Sequence, residues 1–271
     1  MSDILQHWRA GEGLGGVLVI DGHTHVGEWP HGANYDGLEQ MVEGVTRHMD
    51  ANGVDAACVM SGGYMWAGTD YHYGNDVLME LTARLPDRVI PFAHVNPNDH
   101  RDAVLAELER VHAAGMRCIK LLNAYQDYPG DGPNLMALYE FADAHHMLIL
   151  DHSWTREEIV KIAAKHPGAD FIFGHYGRWQ DPILRELPNV HANIWTLGAL
   201  GFFERGIREV GAGKFLLGSD AFMNPASVGI GIVVYADIPD EAKRQVLGLN
   251  QARLLEKVGA LPPGLKEKAG L

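Results

Sequence analysis

Hydrophobic positions along the chain gather into eight short runs: Val17–Ile20, Ala56–Met60, Val89–Ala93, Cys118–Leu122, Met147–Leu150, Phe171–Phe173, Val190–Ile194 and Phe215–Leu217. The runs are mostly continuous rather than alternating, which predicts parallel strands covered on both faces. Between them apolar residues recur at helical spacing. Leu38, Met41, Val45 and Met49 form one stripe, and Val104, Leu105, Leu108 and Val111 another. Gly53 and Gly115 follow these two helices, where a left-handed residue ends a helix well. Thr155 with Glu158 predicts a capping box after the fifth strand, and Pro167-Gly168 stops that helix. A last helix is expected from about Glu241 to Val258, with Val246, Leu249, Ala252 and Leu255 on one face.

Eight strand–helix units without a repeated glycine-rich phosphate loop predict an α/β fold, a closed (β/α)₈ barrel of the TIM type. No linker or low-complexity tract interrupts the 271 residues, so residues 1–271 are read as one domain. Barrels of this kind commonly take about 250 residues.

Composition narrows the function. Hydrophobic residues make up 46% and charged residues 21%, an ordinary globular balance. The net charge of −13 is spread along the chain and disfavours nucleic acid or an anionic membrane as partner. A small-molecule substrate, even an anionic one, is still admitted, because one local Arg or Lys acts at short range. Homo-oligomerisation is compatible with the sequence. No apolar stretch approaches the roughly 18 residues of a membrane span, and Met1–Gly16 lacks the apolar core of a signal peptide. Cys58 and Cys118 lie inside apolar runs and read as buried, reduced thiols. A cytoplasmic location follows as the expectation.

Chemistry is expected at the C-terminal ends of the strands. The first strand runs into Asp21-Gly22-His23-Thr24-His25. The fifth ends in Asp151-His152, the sixth in Gly174-His175-Tyr176-Gly177, and the eighth in Gly218-Ser219-Asp220-Ala221. Side chains two apart on a strand point the same way, roughly 6.5 Å apart along the chain, so His23 and His25 can converge on one ion. Taken singly, a histidine after a strand is as readily a hydrogen-bonded structural residue. Recurrence of His and Asp at the mouth of strands one, five, six and eight has no structural explanation and points to one divalent metal ion.

The pattern resembles the amidohydrolase superfamily, within it the amidohydrolase-related branch of small lactone hydrolases and decarboxylases similar to aminocarboxymuconate semialdehyde decarboxylase. The likeness covers essentially the whole chain. It rests on His23-Thr24-His25, Asn75, Pro86-Asp87-Arg88, Ile119-Lys120-Leu121, His152, His175, Gly218-Ser219-Asp220 and the run from Asn250 to Leu255. The resemblance implies His23, His25, His152 and Asp220 as metal ligands and His175 as a catalytic, non-ligating histidine. The imidazole donors suit Zn²⁺ first, with Mn²⁺ as the other candidate. Asp220 would accept a proton from metal-bound water, and His175 would orient that water or stabilise an oxyanion. A fifth-ligand or supporting role for His175 is the alternative.

Lys120 shares the face of Cys118 and Leu122 and reads as a charged pocket wall or a buried ion-pair member. A bridging lysine carbamate between two metals, as in the binuclear members of the superfamily, is the competing role. Asp21 is expected to support a ligand by hydrogen bonding. Arg178, three residues after His175, either clamps a substrate carboxylate or stands solvated on its loop. The loop Gly62–Gly74 carries Tyr64, Trp66, Tyr71 and Tyr73, a pocket wall or a surface for a neighbouring subunit. Trp29 and Trp195 sit near strand ends as candidate mouth residues.

Three functions are weighed. A silent barrel binding metal or ligand is disfavoured, because all five mouth residues needed for chemistry are present. The chain is read as a metal-dependent hydrolase of a small, carboxylated cyclic ester or amide, lactonase-like. The alternative is a non-oxidative decarboxylase on the same scaffold. Compactness and the retained His23 favour the hydrolase, since decarboxylases of the branch tend to carry insertions and many begin with Glu at the first His position.

Overall fold

Eight parallel strands pair in sequence order, β1 (Ile20–Val26), β2 (Ala56–Ser61), β3 (Val89–Ala93), β4 (Cys118–Lys120), β5 (Leu148–Asp151), β6 (Asp170–Phe173), β7 (Val190–Ile194) and β8 (Phe215–Leu217). These come from a computed structural model, which describes residues 2–27, 37–62, 70–195, 201–221 and 223–271. The helices are α1 (Asp3–Arg9), α2 (Leu38–Asn52), α3 (Tyr71–Arg84), α4 (Arg101–Ala113), α5 (Pro133–Ala144), α6 (Arg156–Lys165), α7 (Asp181–Glu186), α8 (Phe202–Val210), α9 (Ala226–Tyr235), α10 (Asp240–Arg244), α11 (Asn250–Lys257) and α12 (Pro263–Ala269).

The sheet curls until β8 meets β1 at the mouth. Thr24 bridges Ala221 in parallel, the Asp220 N–H donates to the His23 carbonyl at 2.9 Å, and the His25 N–H donates to Ala221. The segments that close the barrel are therefore those that carry His23, His25 and Asp220.

Strand alternation splits the core into two layers. Val59, Ile119, Ile149 and Phe171 face the helices, while Ile20, Cys58, Phe92, Cys118, Leu150 and Ile172 fill the barrel interior. Both cysteines are buried and free there. Leu255, Val258, Leu261 and Leu265 join the same inner layer. The C-terminal helices thus stopper the end of the barrel opposite the mouth. No described helix is long and apolar enough to cross a membrane.

The capping box of α6 forms as expected: Thr155 accepts from the Glu158 N–H, and the Glu158 carboxylate accepts from the Thr155 N–H. Gly53 ends α2 with φ 65°. β2, β4, β5 and β6 differ from the sequence reading by one or two residues at an end, and two elements differ more. β1 was expected over Val17–Ile20 but runs from Ile20 through Val26, because Asp21, His23 and Thr24 are buried together in spite of their polarity. The helix expected from Glu241 to Val258 is α10 and α11 joined by a π-helical turn at Gln245–Leu249. A Cβ at Gly248 would collide with the Leu18 carbonyl, so the widened turn rests directly on the backbone leading into β1.

Candidate metal centre

The mouth ends of β1 and β8 bring three predicted residues together. His23, His25 and Asp220 each offer a ligand atom within 4.8 Å of the others, and all three are buried. His23 Nε2 and His25 Nε2 stand 3.2 Å apart. Asp220 Oδ1 lies 3.0 Å from His25 Nε2 and 3.6 Å from His23 Nε2. Donors bonded to one tetrahedral Zn²⁺ at 2.0–2.1 Å stand about 3.3–3.4 Å apart, so these spacings suit a shared ion. Two neutral imidazoles and a carboxylate are donors that either Zn²⁺ or Mn²⁺ accepts.

β1 reaches this geometry through a local irregularity. Its register against β2 shifts between Asp21 and Thr24. A Cβ on Gly22 would meet the Leu217 carbonyl and Gln251 Oε1 at 2.8 Å, so only glycine lets β1 pass this close to β8. Asp220 itself has φ 59°, the left-handed region that Asp tolerates better than most residues.

His152, just beyond β5, stands beside the trio rather than within it. Its ring centre is 5.5 Å from that of His23, and its buried Nε2 has no partner among the described residues. His175 follows β6, with Nε2 3.8 Å from Asp220 Oδ2. The two oxygens of Asp220 thus face different neighbours, Oδ1 the histidine pair and Oδ2 His175. His175 is held in a stack of flat groups, with Trp195 4.3 Å away on one side and His152 4.7 Å on the other, at interplanar angles of 19° and 23°.

Burial pushes His23, His25 and His152 down from the ordinary imidazole range, and the Lys120 ammonium adds to the effect. They are therefore neutral and able to donate to a metal. Burial alone would raise the Asp220 carboxyl, but His175, His25 and His23 outweigh it and hold that group well below the usual range. Lys120 is fully enclosed, with no hydrogen-bond partner for Nζ among the described residues. Burial pushes its ammonium down, opposed by Asp151 and Asp220. Its place in the barrel interior agrees with the face read from the sequence.

Asp21 does hydrogen-bond to a candidate ligand residue, but through the His23 backbone N–H, and it also accepts from both the N–H and the hydroxyl of Ser219. Arg178 faces Asp181 at 3.6 Å and Glu209 at 3.5 Å. Those carboxylates compete with any substrate carboxylate for the guanidinium. Trp29, Tyr64 and Trp66 lie outside the described residues.

His94, at the end of β3, is a site neighbour the sequence reading missed. It is buried, accepts the Ser61 N–H at 3.1 Å and engages the Lys120 backbone, tying β2, β3 and β4 together below the mouth. Asn75 holds it there by bonding both its N–H and its carbonyl. A polar residue directly after a continuous apolar run was the available signal.

The sequence from residue 20 to residue 257 matches the family model described as Amidohydrolase. The chain belongs to the amidohydrolase family. No curated protein matches it. Among solved structures, 5-carboxyvanillate decarboxylase from Sphingomonas paucimobilis superposes with a TM-score of 0.70 at 16% identity, covering 89% of this chain and 99% of that one. Dihydroxybenzoic acid decarboxylase from Polaromonas sp. JS666, with bound manganese and the inhibitor 2-nitroresorcinol, gives 0.68 at 15% identity, covering 89% and 97%. An uncharacterised TIM-barrel protein from Bordetella bronchiseptica gives 0.72 at 16% identity, covering 90% and 100%. These likenesses establish the barrel.

The neutral histidines make a first prediction for this amidohydrolase. An imidazole protonated near pH 6.5 when unfolded, but at lower pH when folded, lets the unfolded chain bind more protons between the two values. Their contribution is complete above about pH 6.5 and is lost as pH falls below it. The thermal midpoint of the metal-free protein is therefore expected to drop on acidification below about pH 6.5. Saturating Mn²⁺ is expected to raise it at neutral pH. A midpoint insensitive to both would contradict the electrostatics of this site.

Proposed function

We propose that the chain is a metal-dependent, non-oxidative decarboxylase of a small planar carboxylic acid. The observation that carries this reading is the wall of stacked rings, Trp195, His175 and His152, beside the group formed by His23, His25 and Asp220. A flat substrate can lie against such a wall with its carboxylate toward the mouth histidines. Decarboxylases among the structural neighbours, two of them with manganese, support the same reading.

His23, His25, Asp220 and His152 would hold one divalent ion, Mn²⁺ or Zn²⁺. Such an ion supplies Lewis-acid charge to the oxygens of the substrate. Lys120, buried in the barrel interior with its ammonium pushed down to about 7, adds positive charge when protonated and would then favour an anionic substrate. The pair Asp220 and His175 holds the proton to be transferred. That proton bonds to the carbon bearing the carboxylate. The carbon–carboxylate bond then breaks with its electron pair retained by the product, and CO₂ leaves. Water returns a proton to the pair.

Hydrolysis of a cyclic ester or amide is the second reading, supported by His at position 23. Isotopes separate the two. Turnover of a phenolic or heteroaromatic acid in D₂O is expected to release one CO₂ per product and place deuterium on the carbon that lost it. Turnover of a lactone in H₂¹⁸O, with ¹⁸O in the new carboxylate and no CO₂ from any acid tested, would replace decarboxylation by hydrolysis.

A further inference from the structure

We infer that Asp21 and Ser219 form a positioning clamp that sets the metal-facing geometry of Asp220, an inference that rests on the metal-centre reading above. Asp21 is fully buried in β1, and Ser219 lies 198 residues away, immediately before Asp220. Asp21 Oδ1 accepts the Ser219 N–H at 2.9 Å and the His23 N–H at 3.2 Å. Oδ2 accepts the Ser219 hydroxyl. The Ser219 Oγ in turn accepts the Ala221 N–H at 3.0 Å.

These four bonds surround the two weakest points of the local backbone. One is the break in the β1–β2 ladder between Asp21 and Thr24, where regular pairing is lost. The Asp21 carboxylate there satisfies the His23 N–H. The other is Asp220, whose positive φ costs a non-glycine residue free energy and persists only when its surroundings dictate it. Ser219 is gripped on the side before Asp220, and its hydroxyl grips Ala221 on the side after. Asp220 is thereby held in the turn that aims Oδ1 at His23 and His25. Both residues contact no ligand atom of the trio. They act through backbone, and loss of the grip is expected to alter the angles between ligands rather than to remove a ligand.

The test uses the full chain and Mn²⁺ or Co²⁺ alone as the probe. Ser219→Ala removes the hydroxyl and both of its bonds, and leaves the Asp21 bonds to backbone N–H groups. It is expected to fold with a metal-free thermal midpoint close to that of the wild type, to bind Mn²⁺ about 10- to 100-fold more weakly, and to shift the visible absorption of bound Co²⁺. Ser219→Thr retains the hydroxyl and is expected to restore affinity and spectrum. Asp21→Asn, which removes one acceptor from the Ser219 hydroxyl, is expected to fall on the side of Ser219→Ala. Wild-type affinity and an unchanged Co²⁺ spectrum in Ser219→Ala would overturn the clamp while leaving the metal centre standing. Failure of the wild-type chain to bind either ion would overturn the metal-centre reading, and the clamp with it.

Discussion

Asp220→Asn is expected to lower turnover by more than about 10³-fold while leaving the barrel folded. Both proposed roles, metal ligand and proton carrier, converge on this side chain. One oxygen faces His25 and His23, and the other faces His175. Asparagine keeps the shape and tolerates the left-handed backbone at this position, so the closing contacts between β8 and β1 persist. The amide oxygen is a weaker ligand than a carboxylate, and the amide nitrogen cannot accept a proton. General acid–base groups typically contribute about 10²- to 10⁴-fold, and loss of charge at the metal adds to that. Turnover, measured on whichever acid or lactone responds in the isotope experiment, and Mn²⁺ affinity should therefore fall together. A variant keeping a tenth of the wild-type rate would remove Asp220 from the chemistry.

His175→Ala carries the second-largest expected effect, and it separates a proton-handling residue from a ligand. His175 is partly exposed, faces Asp220 Oδ2 and is held between Trp195 and His152. It lies outside the close trio of ligand atoms. Its removal is expected to preserve one bound Mn²⁺ per chain and to cost about 10²- to 10⁴-fold in turnover. His152→Ala should behave in the opposite order, losing metal first, because its buried Nε2 has no hydrogen-bond partner among the described residues and is open to an ion. Loss of metal from His175→Ala would make it a ligand and leave the proton with Asp220 alone.

The barrel and most residues of the candidate site were legible in the chain because they rest on local signals. A parallel strand covered on both faces must be continuously apolar, so β3, β7 and β8 appear in the hydrophobic pattern with their observed limits. The Thr155–Glu158 box is a local exchange of hydrogen bonds and needs no partner from elsewhere. His23 and His25 share a face by strand alternation alone, and the ends of β5, β6 and β8 announce His152, His175 and Asp220 once the barrel is assumed. Periodicity reports whether a side chain is buried; it does not report which distant residue it meets. That Arg178 turns to Asp181 and Glu209, that His94 links Ser61 to Lys120, and that Trp195 stacks on His175 follow from how neighbouring strands and loops settle beside one another. The polar half of β1 was hidden for the same reason, since residues that look like a loop become buried when β8 returns to cover them. Asp21 and Ser219 are the clearest case: each is unremarkable in sequence, and only closure of the barrel sets one carboxylate against the residue before Asp220. The chain by itself determined the repeating units and the donors they carry; the closing of the sheet decided their mutual geometry, because that closure joins residues that no local rule connects.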